Sequence, residues 1–122
     1  MKKNLVVGIL TLLTTFNSSA QITESTLSPK SHFGQEANLA SQILDTYHFR
    51  KINLNDSLSA VILQGYIETL DNNKSYFLKS DIEEFSVYQD KLDDLTKSSS
   101  VKPAYVIYDV FRKRFDERMA HI

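Results

Sequence analysis

Leu70–Phe85 reads LDNNKSYFLKSDIEEF, and how this stretch is divided decides the fold. Leu70 closes one segment of apolar residues at helical spacing. Asp71, Asn72 and Asn73 are turn formers, because their short polar side chains bond nearby backbone and tolerate left-handed angles. Tyr76, Phe77 and Leu78 then form an apolar run inside what should be a connector, which predicts that the connector is buried under the helices it joins. Ser80 with Glu83 three residues later has the pattern of a capping box, in which the serine oxygen accepts a first-turn N–H and the glutamate reaches back to the cap. Asp81 and Phe85 complete the new helix start.

Helical periodicity extends in both directions from this corner. Upstream, Leu58, Val61, Ile62, Tyr66 and Leu70 share a face, with Ile67 adjacent, and Asn55 or Asp56 can cap their helix. Gly65 in its middle costs about 1 kcal/mol against alanine; it either admits a neighbouring helix or is merely tolerated. Earlier still, Gln35–Arg50 predicts a first helix with Leu39, Ile43, Leu44 and Tyr47 on its core face, Ala40 beside them, Glu36 near its start, and Arg50 and Lys51 at its end. Downstream, Asp81–Leu95 predicts a third helix with Ile82, Phe85, Tyr88, Leu92 and Leu95 as its stripe. Lys97–Ser100 is a loop. Pro103 suits the first turn of a fourth helix, which carries Val106 or Ile107, Val110, Phe111, Arg114, Phe115 and Arg118. There Arg112, Lys113, Arg114 and Arg118 lie near Asp109, Asp116 and Glu117 and should form exposed pairs, each contributing tenths of a kcal/mol. The expected fold is all-α, a small bundle of about four helices.

Composition agrees. Of the 122 residues 42% are apolar and 24% charged, and three glycines and two prolines are too few for a turn-dense β fold. Fourteen basic residues nearly balance fifteen acidic ones, so the basic excess that nucleic-acid binding requires is missing. Lys2 and Lys3, the uncharged apolar run Leu5–Phe16, and small Ser18 and Ala20 before Gln21 have the layout of a secretory signal peptide over residues 1–20. The alternative, a membrane anchor, suffers from a run of about 12 residues where roughly 20 are needed to span a bilayer. Cleavage would remove two of the 14 basic residues and leave 12 against 15 acidic, a net charge of −3. No cysteine is present, so an exported product has no disulfide and no lipidated N-terminal cysteine, and its core must hold it together. Ser/Thr-rich residues 21–34, with Pro29, read as a flexible linker, and 35–122 as the helical domain. The last helix has no stop signal before Ile122, a pattern expected of a piece of something longer or of a frayed natural terminus.

Few residues carry a recognisable chemical pattern. No serine sits in a G-x-S-x-G context. Lys74–Ser75 and Lys79–Ser80 are sequence neighbours, which do not face each other on a helix. His32, His48 and His121 lack metal-ligand spacing, and His48 reads as a helix-end or interface residue. Asp71, Asn73 and Ser75 imitate the start of a calcium loop, but Tyr76 stands where glycine is needed and Ile82 where glutamate is needed. Asp81, Glu83, Glu84, Asp90, Asp93 and Asp94 read as a solvated face, and the aromatics as core. No catalytic, metal or cofactor residue is assigned, and no cofactor is expected. From the residues alone, the chain is a helical interaction or accessory domain, with a stand-alone periplasmic binding or adaptor module as one form.

The corner also resembles a motif in the N-terminal region of the tail-specific proteases, or C-terminal processing peptidases. The matching elements are Leu70 and Asp71 at a helix end, polar residues 72–74, the run Tyr76, Phe77 and Leu78, and a helix start at Ser80 and Asp81 with Phe85 following. The preceding segment, YHFRKINLNDSLSAVILQGYIETLD, is similar to the family's as well, with His48, Leu54, Asp56, Ser59 and Tyr66 in place. Arg112, Arg114, Glu117 and Arg118 resemble its closing helix. The likeness covers about residues 36–121. It implies an exported serine endopeptidase with a Ser/Lys dyad and a substrate-engaging PDZ domain, both lying beyond Ile122. On that resemblance this chain is the non-catalytic helical domain that flanks the protease and shapes substrate access. Its partners would be the PDZ and protease domains and, indirectly, protein substrates, with neither nucleic acid nor, after signal cleavage, membrane.

Overall fold

The computed structural model describes residues 27–50 and 53–122. The proposed signal peptide, the first part of the linker and Lys51 lie outside the described residues. Among the described residues five α-helices follow one another: α1 (Ser31–Tyr47), α2 (Asp56–Leu70), α3 (Lys79–Phe85), α4 (Leu92–Lys97) and α5 (Lys102–Met119). A single 3₁₀ turn, Ser86–Tyr88, follows α3. No strand occurs among the described residues, as the all-α reading expects.

Helix α2 is the centre of the bundle. It packs on α4, on α5 and on the 3₁₀ turn. Asn55 caps it by accepting a hydrogen bond from Leu58 N–H at 3.0 Å. The core is small: Leu63 of α2, Phe85 of α3 and Ile107 of α5 are buried, with Tyr66, Ile67, Leu70, Phe77, Tyr88, Leu92 and Val110 packed around them. Burying each of the three central side chains contributes about 1.5–3 kcal/mol. Tyr66 adds a polar tie, since its hydroxyl donates to the Ala104 carbonyl at the start of α5 at 3.0 Å. Burial, together with nearby Tyr108 and Tyr105, raises the Tyr66 pKa. Pro103 falls in the first turn of α5, as expected. A side chain at Gly65 would meet nothing, so that glycine is tolerated and admits no helix.

Three expectations are corrected. The first concerns α1, which begins at Ser31 and ends at Tyr47, four residues ahead of the expected start and three short of Arg50. Its first turn carries no acid and its last no base. Its facing is also reversed. Gly34 and Ser41 are buried, whereas Leu39, Ile43, Leu44 and Tyr47 are 58%, 50%, 54% and 81% exposed. The reason is polar docking against α4, the loop after it and the segment that leads into α2. Asn38 donates to the Lys97 carbonyl at 2.9 Å and to Ser99 Oγ at 3.1 Å, and Asp45 accepts from Leu54 N–H at 3.2 Å. At Gly34 the helix passes so close to Ser99 that a Cβ would overlap its backbone carbonyl. Gly34, Asn38, Ser41 and Asp45 recur at spacings of four, three and four, which is one helical face.

The second correction is that the expected third helix, Asp81–Leu95, is broken into α3, the 3₁₀ turn, a turn at 89–91, and α4. On an unbroken helix Phe85 and Asp93 would point about 80° apart. The break lets Phe85 enter the core while Asp93 turns in to meet Ser59 of α2. The third is that Asp81 and Asp93 are buried and so are not part of a solvated face, whereas Glu83, Glu84, Asp90 and Asp94 are exposed.

Candidate functional site

The corner between α2 and α3 is built on the Asp71 carboxylate. Asp71 terminates α2, and its own N–H donates to the Ile67 carbonyl at 2.9 Å. Its Oδ1 accepts from Ser75 N–H at 2.7 Å, and its Oδ2 accepts from Tyr76 and Phe77 N–H, each at 2.9 Å. One buried carboxylate thus satisfies three successive amides of a connector that has no helix or sheet partner, which is what lets an apolar run lie under the helices. The left-handed position falls on Lys74 (φ 53°) rather than on an asparagine. Burial alone would raise the Asp71 pKa. The amides of Phe77, Ser75 and Tyr76 and the Arg118 charge outweigh that and lower it.

The three residues of the apolar run part ways. Phe77 stacks edge-on against Phe85 (centroids 5.4 Å apart) and lies 5.9 Å from Phe111. Tyr76 packs edge-on against Phe111 and tilted against Phe115, at 5.4 and 5.6 Å. Leu78 is half exposed and does not anchor the core. The capping box expected from Ser80 and Glu83 does not form. The cap position is Leu78, whose N–H donates to Asp81 Oδ2 at 2.8 Å. Ser80 is exposed, and Glu83 pairs loosely with Lys79 at 3.7 Å across solvent.

Helix α5 clamps this corner with two arginines one turn apart. Arg114 makes a two-pronged bond to Asp81, Nε to Oδ2 at 2.9 Å and Nη2 to Oδ1 at 2.8 Å, and also reaches Glu117 at 2.9 Å. The Arg114 bond, helped by the Leu78 amide, lowers the Asp81 pKa against burial, and the bonds to Asp81 and Glu117 raise that of Arg114. Arg118 donates to the Ser75 carbonyl at 2.7 Å and sits 5.6 Å over the Tyr76 ring. The pairs expected along the surface of the fourth helix therefore reduce to Arg114–Glu117 among the described residues, while the main partner of Arg114 lies on another helix.

A third buried acid, Asp93, ties α4 to α2. Ser59 Oγ donates to Asp93 Oδ1 at 3.1 Å and accepts from Asp93 N–H at 2.9 Å. Lys97 bonds Asp93 Oδ2 at 3.4 Å and the Leu54 carbonyl at 2.9 Å. Burial raises the Asp93 pKa, but the Asp94 amide, Ser59 and Lys97 outweigh it and lower it. Serine, acid and lysine invite a catalytic reading, but Ser59 is wholly inaccessible (0% exposed). Its hydroxyl is fixed on Asp93, and no substrate carbonyl can approach it. All three buried carboxylates are held ionised, the opposite of what a general acid needs.

Of the residues singled out in the sequence, the structure brings together Leu70, Asp71, Tyr76, Phe77, Asp81 and Phe85 at the corner, and leaves Leu78, Ser80 and Glu83 at its rim. His48 is a helix-end residue, its Nδ1 accepting from Arg50 N–H at 3.2 Å. The Ser59–Asp93 pair and the Asp81–Arg114 bond are not anticipated from the sequence. One signal was available: Arg114 continues the stripe of Ile107 and Phe111, and an arginine on a core face requires a buried acid. Beside the corner an open groove of about 560 Å³ runs between α2 and α3, floored by Val61, Ile67, Phe77 and Ile82, with Lys74 and Lys79 at its rim. Among the described residues no group of acids and histidines has the arrangement of a metal site, and no helix is long and apolar enough to cross a membrane.

Comparison with known proteins bears on this arrangement. Residues 40–122 match a family model described as the tail specific protease N-terminal domain. A protein of Haemophilus influenzae named tail-specific protease is 39% identical over 92 residues. That alignment takes in 71% of this chain and 13% of the relative's length. No solved structure matches the chain.

Proposed function

This chain belongs to the tail-specific protease N-terminal domain family, and from that premise we propose that it is the non-catalytic helical domain of an exported tail-specific serine protease. In this reading residues 1–20 direct export to the periplasm and are removed. Catalysis by a Ser/Lys dyad and capture of substrate tails by a PDZ domain belong to other parts of the same polypeptide. The helical domain flanks the protease and shapes the passage by which a substrate chain reaches it. The observation that carries the proposal is the family match over residues 40–122.

The geometry supports the reading. Two of the buried acids, Asp71 and Asp81, fix the corner, the third, Asp93, ties α4 to α2, and Ser59 is sealed. In the connector the Asp71 carboxylate holds the Tyr76 and Phe77 amides and Arg118 covers the Tyr76 ring, as suits a wall rather than a catalyst.

A segment exchange tests the proposal. Residues 27–122 replace the aligned segment of the Haemophilus influenzae protease, and cleavage of an unfolded protein substrate is compared with that by the enzyme lacking the segment. The chimera should recover the activity and cleavage pattern of the parent, and the isolated chain should cleave nothing. A chimera that behaves like the deletion, or cleavage by the isolated chain that is lost on a single serine substitution, would overturn it.

A further inference from the structure

Helix α1 is amphipathic in the wrong sense for a helix that ends at its own domain. Its polar stripe, Gly34, Asn38, Ser41 and Asp45, faces the bundle, while Leu39, Ile43 and Tyr47 lie on the opposite side in solvent. At 3.6 residues per turn the two stripes are about 170° apart. Leu44 extends the apolar side toward Leu54, Leu58 and Ile62, where a shallow hollow of about 180 Å³ opens between α1 and α2. A run of large apolar side chains kept in water marks an interaction face.

We propose that this face of α1 is the seat of the protease body, the part of the polypeptide outside this domain, which covers Leu39, Ile43 and Tyr47 with an apolar surface. The inference rests on the function proposed above and adds which side of the domain meets the rest. Two observations select this occupant. The family relative extends far beyond its match to this chain, which accounts for 13% of its length, so a large covalently attached body is at hand. A second copy of the chain is a poor alternative on area. A helix of 17 residues is ~25 Å long and ~10 Å wide and offers ~250 Å² along one side. A stable dimer needs about 800 Å² from each partner. A tethered neighbour needs less, because the tether supplies a high effective concentration.

The chain has no cysteine, so a single introduced thiol reports on the face. In the Ile43→Cys variant, maleimide labelling at that position is followed by peptide mass spectrometry in the isolated chain and in the chimera described above. Labelling in the chimera should be at least ~10-fold slower than in the isolated chain, and urea should abolish the difference. Equal rates overturn the inference. So does labelling of the isolated chain that slows as its concentration rises while the chimera shows no further protection, because the occupant would then be a second copy. Chimera activity separates the two claims. An active chimera with a freely labelled thiol removes the docking face and leaves the proposed function standing; a protected thiol in an inactive chimera does the reverse.

Discussion

Removing the Asp71 carboxylate should loosen the whole corner. It accepts three backbone N–H groups at 2.7, 2.9 and 2.9 Å, and a hydrogen bond to an ionised acceptor contributes about 1.5–3 kcal/mol. Three at the lower figure would give about 4.5 kcal/mol. The bonds share one acceptor and so are coupled rather than additive, and the amide of exposed Ser75 can turn to water. Asp71→Ala is therefore expected to destabilise by about 3 kcal/mol. In a domain of this size that lowers Tm by about 12–24 °C. Asp71→Asn keeps one carbonyl acceptor and should lose about half as much. Urea unfolding of the 122-residue chain followed by circular dichroism measures both. A loss below about 1 kcal/mol for the alanine variant, or an asparagine variant equal to wild type, would refute the assignment of the corner to this carboxylate. The sign of the pH dependence follows from the same bonds. The folded pKa of Asp71 lies below its unfolded value, so its contribution is full above the unfolded value of about 3.9 and is lost as pH falls through the folded one. Asp81 and Asp93 are shifted in the same direction, and acid titration of stability should show the combined loss below about pH 4. The Asp71→Ala variant should show a shallower decline.

Other predictions concern single contacts. Arg114→Met strands the buried Asp81 carboxylate, so Asp81→Asn/Arg114→Met should melt no lower than Arg114→Met alone; thermal melts of the two compare them directly. The two glycines should respond oppositely to alanine. At Gly34 a Cβ overlaps the Ser99 carbonyl, so Gly34→Ala should release α1 and raise its amide exchange rates. At exposed, mid-helical Gly65 there is open space, so Gly65→Ala should stabilise by about 0.5–1 kcal/mol. Half-buried Phe77, packed on Phe85 and Phe111, should cost about 2 kcal/mol when replaced by alanine, less than the 3–5 of a fully buried ring. Exposed Leu78→Ala should stay within about 0.5 kcal/mol in the same melt.

What could be read from the sequence was local. The end of α2 at Leu70, the Asn55 cap, Pro103 in the first turn of α5 and the all-α class each depend on residues within one or two turns of each other. The reading failed where a distant partner decided. Asp81 looked like one acid among several, because its partner Arg114 is 33 residues away. Asp93 appeared to be surface until Ser59, 34 residues earlier, claimed it. The stripe on α1 was found correctly but assigned to the wrong side. Periodicity identifies two faces without saying which one is covered, and here Asn38 and Gly34 dock while Leu39 and Ile43 do not. The corner itself is legible, with Asp71 and Asp81 in it, but the sequence pattern assigns the capping to Ser80 and Glu83. Ser80 and Glu83 fit the capping pattern, and Asp71 and Asp81 took the backbone amides instead.

The claim that this chain is one domain of a longer tail-specific protease is tested most directly by the size of the native polypeptide. An antibody raised against the chain, used on periplasmic extract, can capture the protein for intact-mass and terminal sequence analysis. The expected species is a polypeptide several times the 14.0 kDa of this chain, starting at Gln21 and carrying protease sequence after Ile122. A captured species of 14.0 kDa or less, with nothing larger, would contradict it.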